Sequence, residues 1–228
     1  MTARRELGEP LEHIVGWVDF GGLRLSVGPG VFIPRQRSVL LAEHGLRAAV
    51  DAASAQVEPV IVEAFCGVAP IAAVIADRLP DDASSRVRVL ATDRDPAALV
   101  HATRNLPAGA VVTAGGHGLD ALPADAAGAV HVLVAVAPYV PDAALRLMPA
   151  EARLYEPEIS HRGGGDGLDH LRTILDQASN WLAADGVMLL ECHRGQSDSV
   201  LERATAMGMT GRVHLGEDGQ TAVTEIRR

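Results

Sequence analysis

Val60-Ile61-Val62-Glu63-Ala64-Phe65-Cys66-Gly67-Val68-Ala69-Pro70 is an apolar run of strand length, then a turn, then a helix start. The run Val60 to Phe65 has the length of a buried strand. Pro70 falls in the first turn of a helix expected to reach Leu79, where a missing N–H does no harm. The unit repeats downstream. A strand from Val87 to Thr92 ends at Asp93, and Asp95-Pro96 then supplies an N-cap and a first-turn proline for a helix to Asn105. Strands follow at Ala110 to Thr113 and Val130 to Val136, with a partly helical segment at Ala143 to Arg153. The spacing predicts a helix over Leu168 to Ala184, a turn at Asp185-Gly186 and a strand from Val187 to Glu191. A helix from Ser197 to Met207 and an antiparallel pair, Arg212 to Leu215 and Thr221 to Ile226, close the chain. Strands alternating with helices across short connections define an α/β protein with a mostly parallel sheet covered on both faces. Such sheets bind ligands beyond the carboxyl ends of their strands, where strand order reverses. The candidate site residues are therefore those directly after the strands.

Upstream the pattern differs. Residues 1 to 16 read as a short helical or irregular arm. Trp17 to Val27 alternates apolar and polar residues around Gly21-Gly22, a hairpin signal. Gly28-Pro29-Gly30 turns the chain into Val31-Phe32-Ile33, Pro34 stops that run, and Gln36 to Ala53 is apolar at helical spacing. The expected division is an arm and hairpin over residues 1–35 and a larger α/β unit over 36–228.

Composition narrows the function. Of 228 residues, 48% are hydrophobic and only 3% aromatic, so Ala, Val and Leu must fill a sizeable core. A formal net charge of -9 disfavours a nucleic-acid partner, because nonspecific binding works by neutralising phosphates. The two cysteines, Cys66 and Cys192, make neither a disulfide framework nor a paired-Cys metal spacing, so no metal is expected and a reducing, cytoplasmic setting is. Met1 to Pro10 lacks the apolar core of a signal peptide, and no run approaches membrane-spanning length.

Several longer motifs, in order, carry a resemblance. Gly8-Glu9-Pro10-Leu11-Glu12-His13-Ile14 with Gly16, then Phe20-Gly21-Gly22-Leu23, then Pro29-Gly30-Val31-Phe32-Ile33-Pro34-Arg35 form the first group. Val136-Ala137-Pro138-Tyr139, Tyr155-Glu156-Pro157, Gly163-Gly164-Gly165-Asp166-Gly167-Leu168-Asp169 and Glu191 with Gln196 form the second. Together they resemble the release-factor glutamine-amide methyltransferases (HemK/PrmC-like), which are class I S-adenosylmethionine (SAM) dependent enzymes. The resemblance implies a Rossmann-like seven-stranded sheet with an N-terminal β-hairpin and a short helical arm, and SAM as cofactor.

It also implies roles. Family members have an acid and then three alternating glycines after the first sheet strand. Here Glu63 keeps the acid, expected to face the methionine amino group, and Gly67 is the one glycine left. Phe65 and Ala69 replace the outer two, and Phe65 is expected to fill part of the cofactor space. Taken alone, one glycine makes an ordinary tight turn as readily as a cofactor loop. Asp93, followed by Arg94, stands where a carboxylate accepts both ribose hydroxyls, although an acid there can equally cap its own turn. His117, in Gly115-Gly116-His117-Gly118-Leu119-Asp120, stands where the family has an acid that meets the adenine. Phe32, Pro34, Arg35 and Tyr139 fall where the acceptor would lie.

The reaction loop departs most. The family reads Asn-Pro-Pro-Tyr where this chain has Val136-Ala137-Pro138-Tyr139. An amide nitrogen is a poor nucleophile, and the Asn aligns it by hydrogen bonds that a Val side chain cannot make. Pro138 and Tyr139 preserve the loop shape and an aromatic face. Only a stub of the family's N-terminal helical domain precedes Gly8, so a release factor is not the expected partner. The expected function is a SAM-dependent methyltransferase with an altered acceptor, a small molecule or a protein. The coincident losses leave two alternatives: a catalytically silent relative, and a SAM-fold enzyme with non-methylating chemistry. Cys192 and His193 are adjacent on a strand and point to opposite faces, which rules out a Cys–His dyad.

Overall fold

The computed structural model describes residues 2–55, 58–80, 86–115 and 118–228. The chain opens with two single-turn helices, α1 (Thr2–Glu6) and α2 (Leu11–Val15). The hairpin β1 (Trp17–Phe20) and β2 (Leu23–Ser26) follows, paired from Trp17↔Ser26 to Phe20↔Leu23. A 3₁₀ turn at Gln36–Ser38 leads into α3 (Val39–Ser54).

Next come β3 (Val60–Ala64), α4 (Pro70–Arg78), β4 (Arg88–Asp93), α5 (Pro96–Asn105) and β5 (Val111–Ala114). The second half runs β6 (Val130–Ala135), α6 (Ala150–Tyr155), α7 (Asp169–Trp181), β7 (Leu182–His193), α8 (Ser197–Ala206), β8 (Thr210–Leu215) and β9 (Thr221–Arg227).

The large sheet has seven strands in the order β5-β4-β3-β6-β7-β9-β8. β3 is parallel to both β4 and β6, with Glu63 level with Ala91 on one side and Val134 on the other. The chain winds outward from β3 to β5, then returns to start again at β6. Strand order therefore reverses between β3 and β6, which opens a crevice at their carboxyl ends. β9 runs antiparallel between β7 and β8.

Side-chain alternation sorts the sheet into two cores. Ile61, Val132 and Val134 face α3 and α4 through Ile71 and Ile75, while Val62, Leu133 and Ala135 face α7 through Leu171 and Ile174. Because both faces are covered, every residue of β3 is buried, which explains its unbroken apolar sequence. α7 buries Leu171, Ile174, Leu175 and Ala178, one stripe at helical spacing. The hairpin adds Phe20 and Leu25 to the first core.

Two elements differ from the sequence expectation. α7 ends at Trp181, and the expected turn at Asp185-Gly186 lies inside β7. The ladder skips there: Val130 pairs with Leu182, but Val132 pairs with Val187. The extra residues bulge out of register, and Gly186 permits it, because a Cβ would stand 2.6 Å from the Val130 carbonyl oxygen. The segment Ala143 to Arg153 is two pieces, a 3₁₀ run at Asp142–Leu147 and α6, with Pro149 at the N-terminal boundary of α6. No helix among the described residues is long and apolar enough to cross a membrane.

Candidate active site

A cavity of about 790 Å³ opens at the carboxyl ends of β3, β4 and β6. That is the volume of a pocket for a nucleotide-sized ligand. Phe65, Gly67 and Asp93 form one wall, and Val136 to Tyr139 form the opposite one. The structure thus brings together residues that the sequence placed on three separate strand ends.

The β3–α4 loop keeps the backbone of a glycine-rich turn with one glycine, Gly67. Phe65, Gly67 and Ala69 have φ of 54°, 53° and 57°. All three are left-handed, and for Phe and Ala that conformation costs about 1 kcal/mol each. The loop is held by its neighbours: Cys66 N donates to Thr92 O at 3.0 Å, and Asn105 Nδ2 donates to Val68 O at 2.9 Å. The Phe65 ring lies 5.2 Å from the His170 ring, centroid to centroid, and lines the cavity. A Cβ on Gly67 would meet nothing within 4 Å, so this backbone faces open space that a ligand can approach closely.

Two acids brace the loop. Glu63 is 2% exposed and accepts the N–H groups of Ala72 at 2.6 Å and Ile71 at 3.3 Å. It caps the first turn of α4, where the orphan donors need a partner. Burial pushes its carboxyl up to about 8, against the pull of those two hydrogen bonds. Asp93 accepts Gly67 N at 2.7 Å through Oδ2 and Asp95 N at 2.8 Å through Oδ1. Burial raises its carboxyl above the usual range, and the backbone donors offset part of this. A carboxylate offers about four acceptor directions, so Asp93 keeps capacity on both oxygens for a ligand's hydroxyls. Asp95 caps α5 through Ala97 N at 2.9 Å, as its sequence position indicates. Arg94 lines the cavity beside Asp93. His117 lies outside the described residues. Cys66 is buried, its thiol raised by desolvation, and this holds it as an unreactive core side chain.

On the opposite wall Ala137 is buried, while Val136 and Pro138 line the cavity. The Tyr139 hydroxyl donates to Glu191 Oε1 at 3.3 Å. Burial and the Glu191 charge push that phenol up to about 12. Glu191 is itself fully buried at the end of β7, with Arg37 Nε 3.8 Å from its Oε1. Gln196 donates to the carbonyls of Tyr139 and Asp166, both at 3.0 Å, and accepts His193 N at 3.0 Å. One side chain thus ties the reaction loop to the segment Gly163 to Asp169. Gly167, at φ 82°, passes so close that a Cβ would lie 2.3 Å from Tyr139 O.

A third wall forms around Glu156. Arg35 Nη2 donates to Glu156 Oε2 at 2.5 Å, and His161 Nε2 lies 3.0 Å from the same oxygen. The Arg35 guanidinium stands 4.8 Å above the Phe32 ring, which meets His161 edge-on at 5.5 Å. Pro34 lines a small adjoining void with Phe65 and Val136. Glu156, Glu191 and Gln196 lie in the quoted motifs, but nothing in the sequence alone says what they touch. Arg37, His161 and His170 carry no sequence signal and reach the site only through the fold.

A sheet that reverses between β3 and β6, with a left-handed turn after β3, an acid ending β4 and a Pro-Tyr loop after β6, defines the class I SAM-methyltransferase fold. Among solved structures, the N-terminal domain of human METTL16, in complex with SAH, superposes with a TM-score of 0.59 at 16% identity, covering 99% of this chain and 81% of that one. By sequence, the release factor glutamine methyltransferase of Streptomyces coelicolor is 37% identical over 84% of this chain and 65% of its own length. That of Moorella thermoacetica is 36% identical over 90% of this chain and 69% of its own length. The chain belongs to the release factor glutamine methyltransferase family. It spans just under two thirds of the length of the Streptomyces relative. No protein-family model matches it.

Proposed function

We propose that the protein is a SAM-dependent methyltransferase whose acceptor is not a glutamine amide. The observation that carries this is the single cavity in which Asp93 and open-faced Gly67 stand opposite the Val136–Tyr139 loop. Asp93 has acceptor capacity for two ribose hydroxyls, and Gly67 admits a ligand close to its backbone, so the residues suit SAM. SAM supplies an electrophilic methyl group on sulfur. The chain's own part is to align a nucleophile with it. Tyr139 offers a flat face, because its hydroxyl is engaged by Glu191. Val136 offers no hydrogen bond, so an amide nitrogen there would be unaligned. A more nucleophilic amine, phenolate or thiolate needs less help, and the apolar wall suits such a side chain or small molecule. The curated relatives are named for release factors, and a release factor glutamine is the acceptor this loop serves worst.

Calorimetry with SAM and S-adenosylhomocysteine tests the reading. Micromolar binding is expected, followed by transfer of labelled methyl to an amine, phenol or thiol acceptor and none to a glutamine peptide. Folded protein that binds neither ligand at millimolar concentration overturns it. That outcome favours a catalytically silent family member, the second reading, which the Phe65 ring projecting into the cavity supports.

A further inference from the structure

His44 in α3, His214 in β8 and Glu225 in β9 meet away from the large cavity, on the sheet edge formed by β8 and β9. One ligand atom from each lies within 4.8 Å of the other two. The two imidazoles stack with centroids 3.9 Å apart and planes tilted by 34°. His214 Nε2 is 2.9 Å from Glu225 Oε2. Among the described residues, His44 makes no hydrogen bond through either ring nitrogen. In a neutral imidazole one ring nitrogen carries the proton and the other a lone pair, and at His44 neither is engaged.

We propose that His44, His214 and Glu225 bind a divalent cation of the zinc, cobalt or nickel class, clamping α3 to the β8–β9 edge. Two imidazoles and one carboxylate oxygen are the donor set of such borderline ions, and exclude magnesium and calcium, which demand oxygen ligands. Tetrahedral ligation places donor atoms about 3.3 Å apart. The three atoms here lie within 4.8 Å of one another, so ligation would draw them closer by side-chain rotation. Water completes the coordination.

The neighbouring charges set the limit on affinity. Arg212 and Arg227 both hold Glu225, with Nε–O distances of 3.0 and 3.1 Å. His214 and both arginines thus already occupy acceptor directions of this carboxylate. Arg47 faces His44 from its own helix and pairs weakly with Glu43 at 3.9 Å. The Arg212 and Arg227 side chains are 70% and 48% exposed, so each can retain Oε1 or swing into solvent while Oε2 turns to the ion. A guanidinium left on Oε1 then orients the ligating carboxylate. The three ligands come from sequence positions far apart, which is why no ligand-spacing motif marks them.

The test uses the whole chain, free of any affinity tag and stripped with chelator. Zinc is titrated by calorimetry and cobalt by its visible absorption, with magnesium as control. The expected result is one equivalent of zinc or cobalt, a raised melting temperature, and no response to magnesium. His44→Ala and, separately, His44→Gln should each weaken binding at least tenfold while circular dichroism shows the chain folded. His214→Ala should do the same. Unchanged affinity in the two His44 variants, or no binding at millimolar zinc, overturns the site. Neither result bears on SAM binding, which is read at the other cavity.

Discussion

The two loops that face each other across the cavity have lost different things. The β3–α4 loop has replaced two glycines of the family pattern and kept the backbone, with Phe65, Gly67 and Ala69 all left-handed. The Val136–Tyr139 loop is clamped by Gln196 at Tyr139 O and carries Val136 where the family pattern has Asn. In the first, substitution left shape intact at the cost of strain. In the second, no residue is left-handed, and the Val136 side chain makes no hydrogen bond. The two loops are thus held by hydrogen bonds from distant elements, while the side chain at position 136, partly buried at the cavity wall, is set by the sequence alone.

The hardest way to break the comparison is at Gly167. A Cβ there meets the Tyr139 carbonyl and the residue sits at φ 82°, so nothing flexible can yield. Gly167→Ala should destabilise the protein by about 3 kcal/mol. A melting curve within a degree of wild type would mean that the reaction loop is not clamped as described.

Glu63 gives an effect of comparable size, and a pH signature. Its folded-state carboxyl titrates near about 8, above the ordinary glutamate value of 4.5. Between those values the folded form holds more protons than the unfolded form, so stability falls as pH rises and levels off above the folded value. Glu63→Gln keeps one acceptor for the α4 N–H groups and removes the titration. Its stability relative to wild type should therefore grow by about 4 kcal/mol from pH 5 to pH 9 in denaturant titrations. A constant difference across that range would show that Glu63 ionises normally in the fold.

Asp93 separates ligand from loop. Asp93→Ala removes the proposed ribose acceptors and the Gly67 N–H acceptor, and should weaken SAM at least tenfold, about 1.4 kcal/mol. Asp93→Asn retains an oxygen for Gly67 and should recover stability more than affinity. Equal SAM affinity in wild type and Asp93→Ala would refute the ribose assignment.

What the sequence made legible follows from range. Strands β3, β4 and β6, the Asp95 cap and Asp93 at its strand end all depend on neighbours a few residues away, and their patterns are local. The clamp by Gln196 joins positions 57 apart, and the Arg35–Glu156 pair joins positions 121 apart. The quoted motifs contained Gln196, Arg35 and Glu156, but partners at that range appear only after folding. The bulge before Gly186 was hidden for another reason: Asp-Gly is a strong turn signal, and here the same freedom serves a close approach of backbone to backbone. Positive φ at Phe65 could not be read at all, because nothing local favours it for a bulky residue.

Ala69 offers the finest test of the strained loop. It is fully buried at φ 57°, directly before α4, and Ala72 is equally buried one turn later inside that helix. Each loses one methyl on mutation to glycine, about 0.8 kcal/mol of burial. Each also gains unfolded-state freedom, which costs roughly 0.4–1 kcal/mol. At Ala72 these add to a loss of about 1.5 kcal/mol. At Ala69 the relief of a left-handed alanine, about 1 kcal/mol, offsets most of the loss, leaving a net change below about 1 kcal/mol. The contrast between the pair is the measurement, since burial is matched and conformation alone differs. If Ala69→Gly and Ala72→Gly cost the same in chemical denaturation, the loop does not carry left-handed strain at Ala69, and its likeness to a glycine turn ends at Gly67.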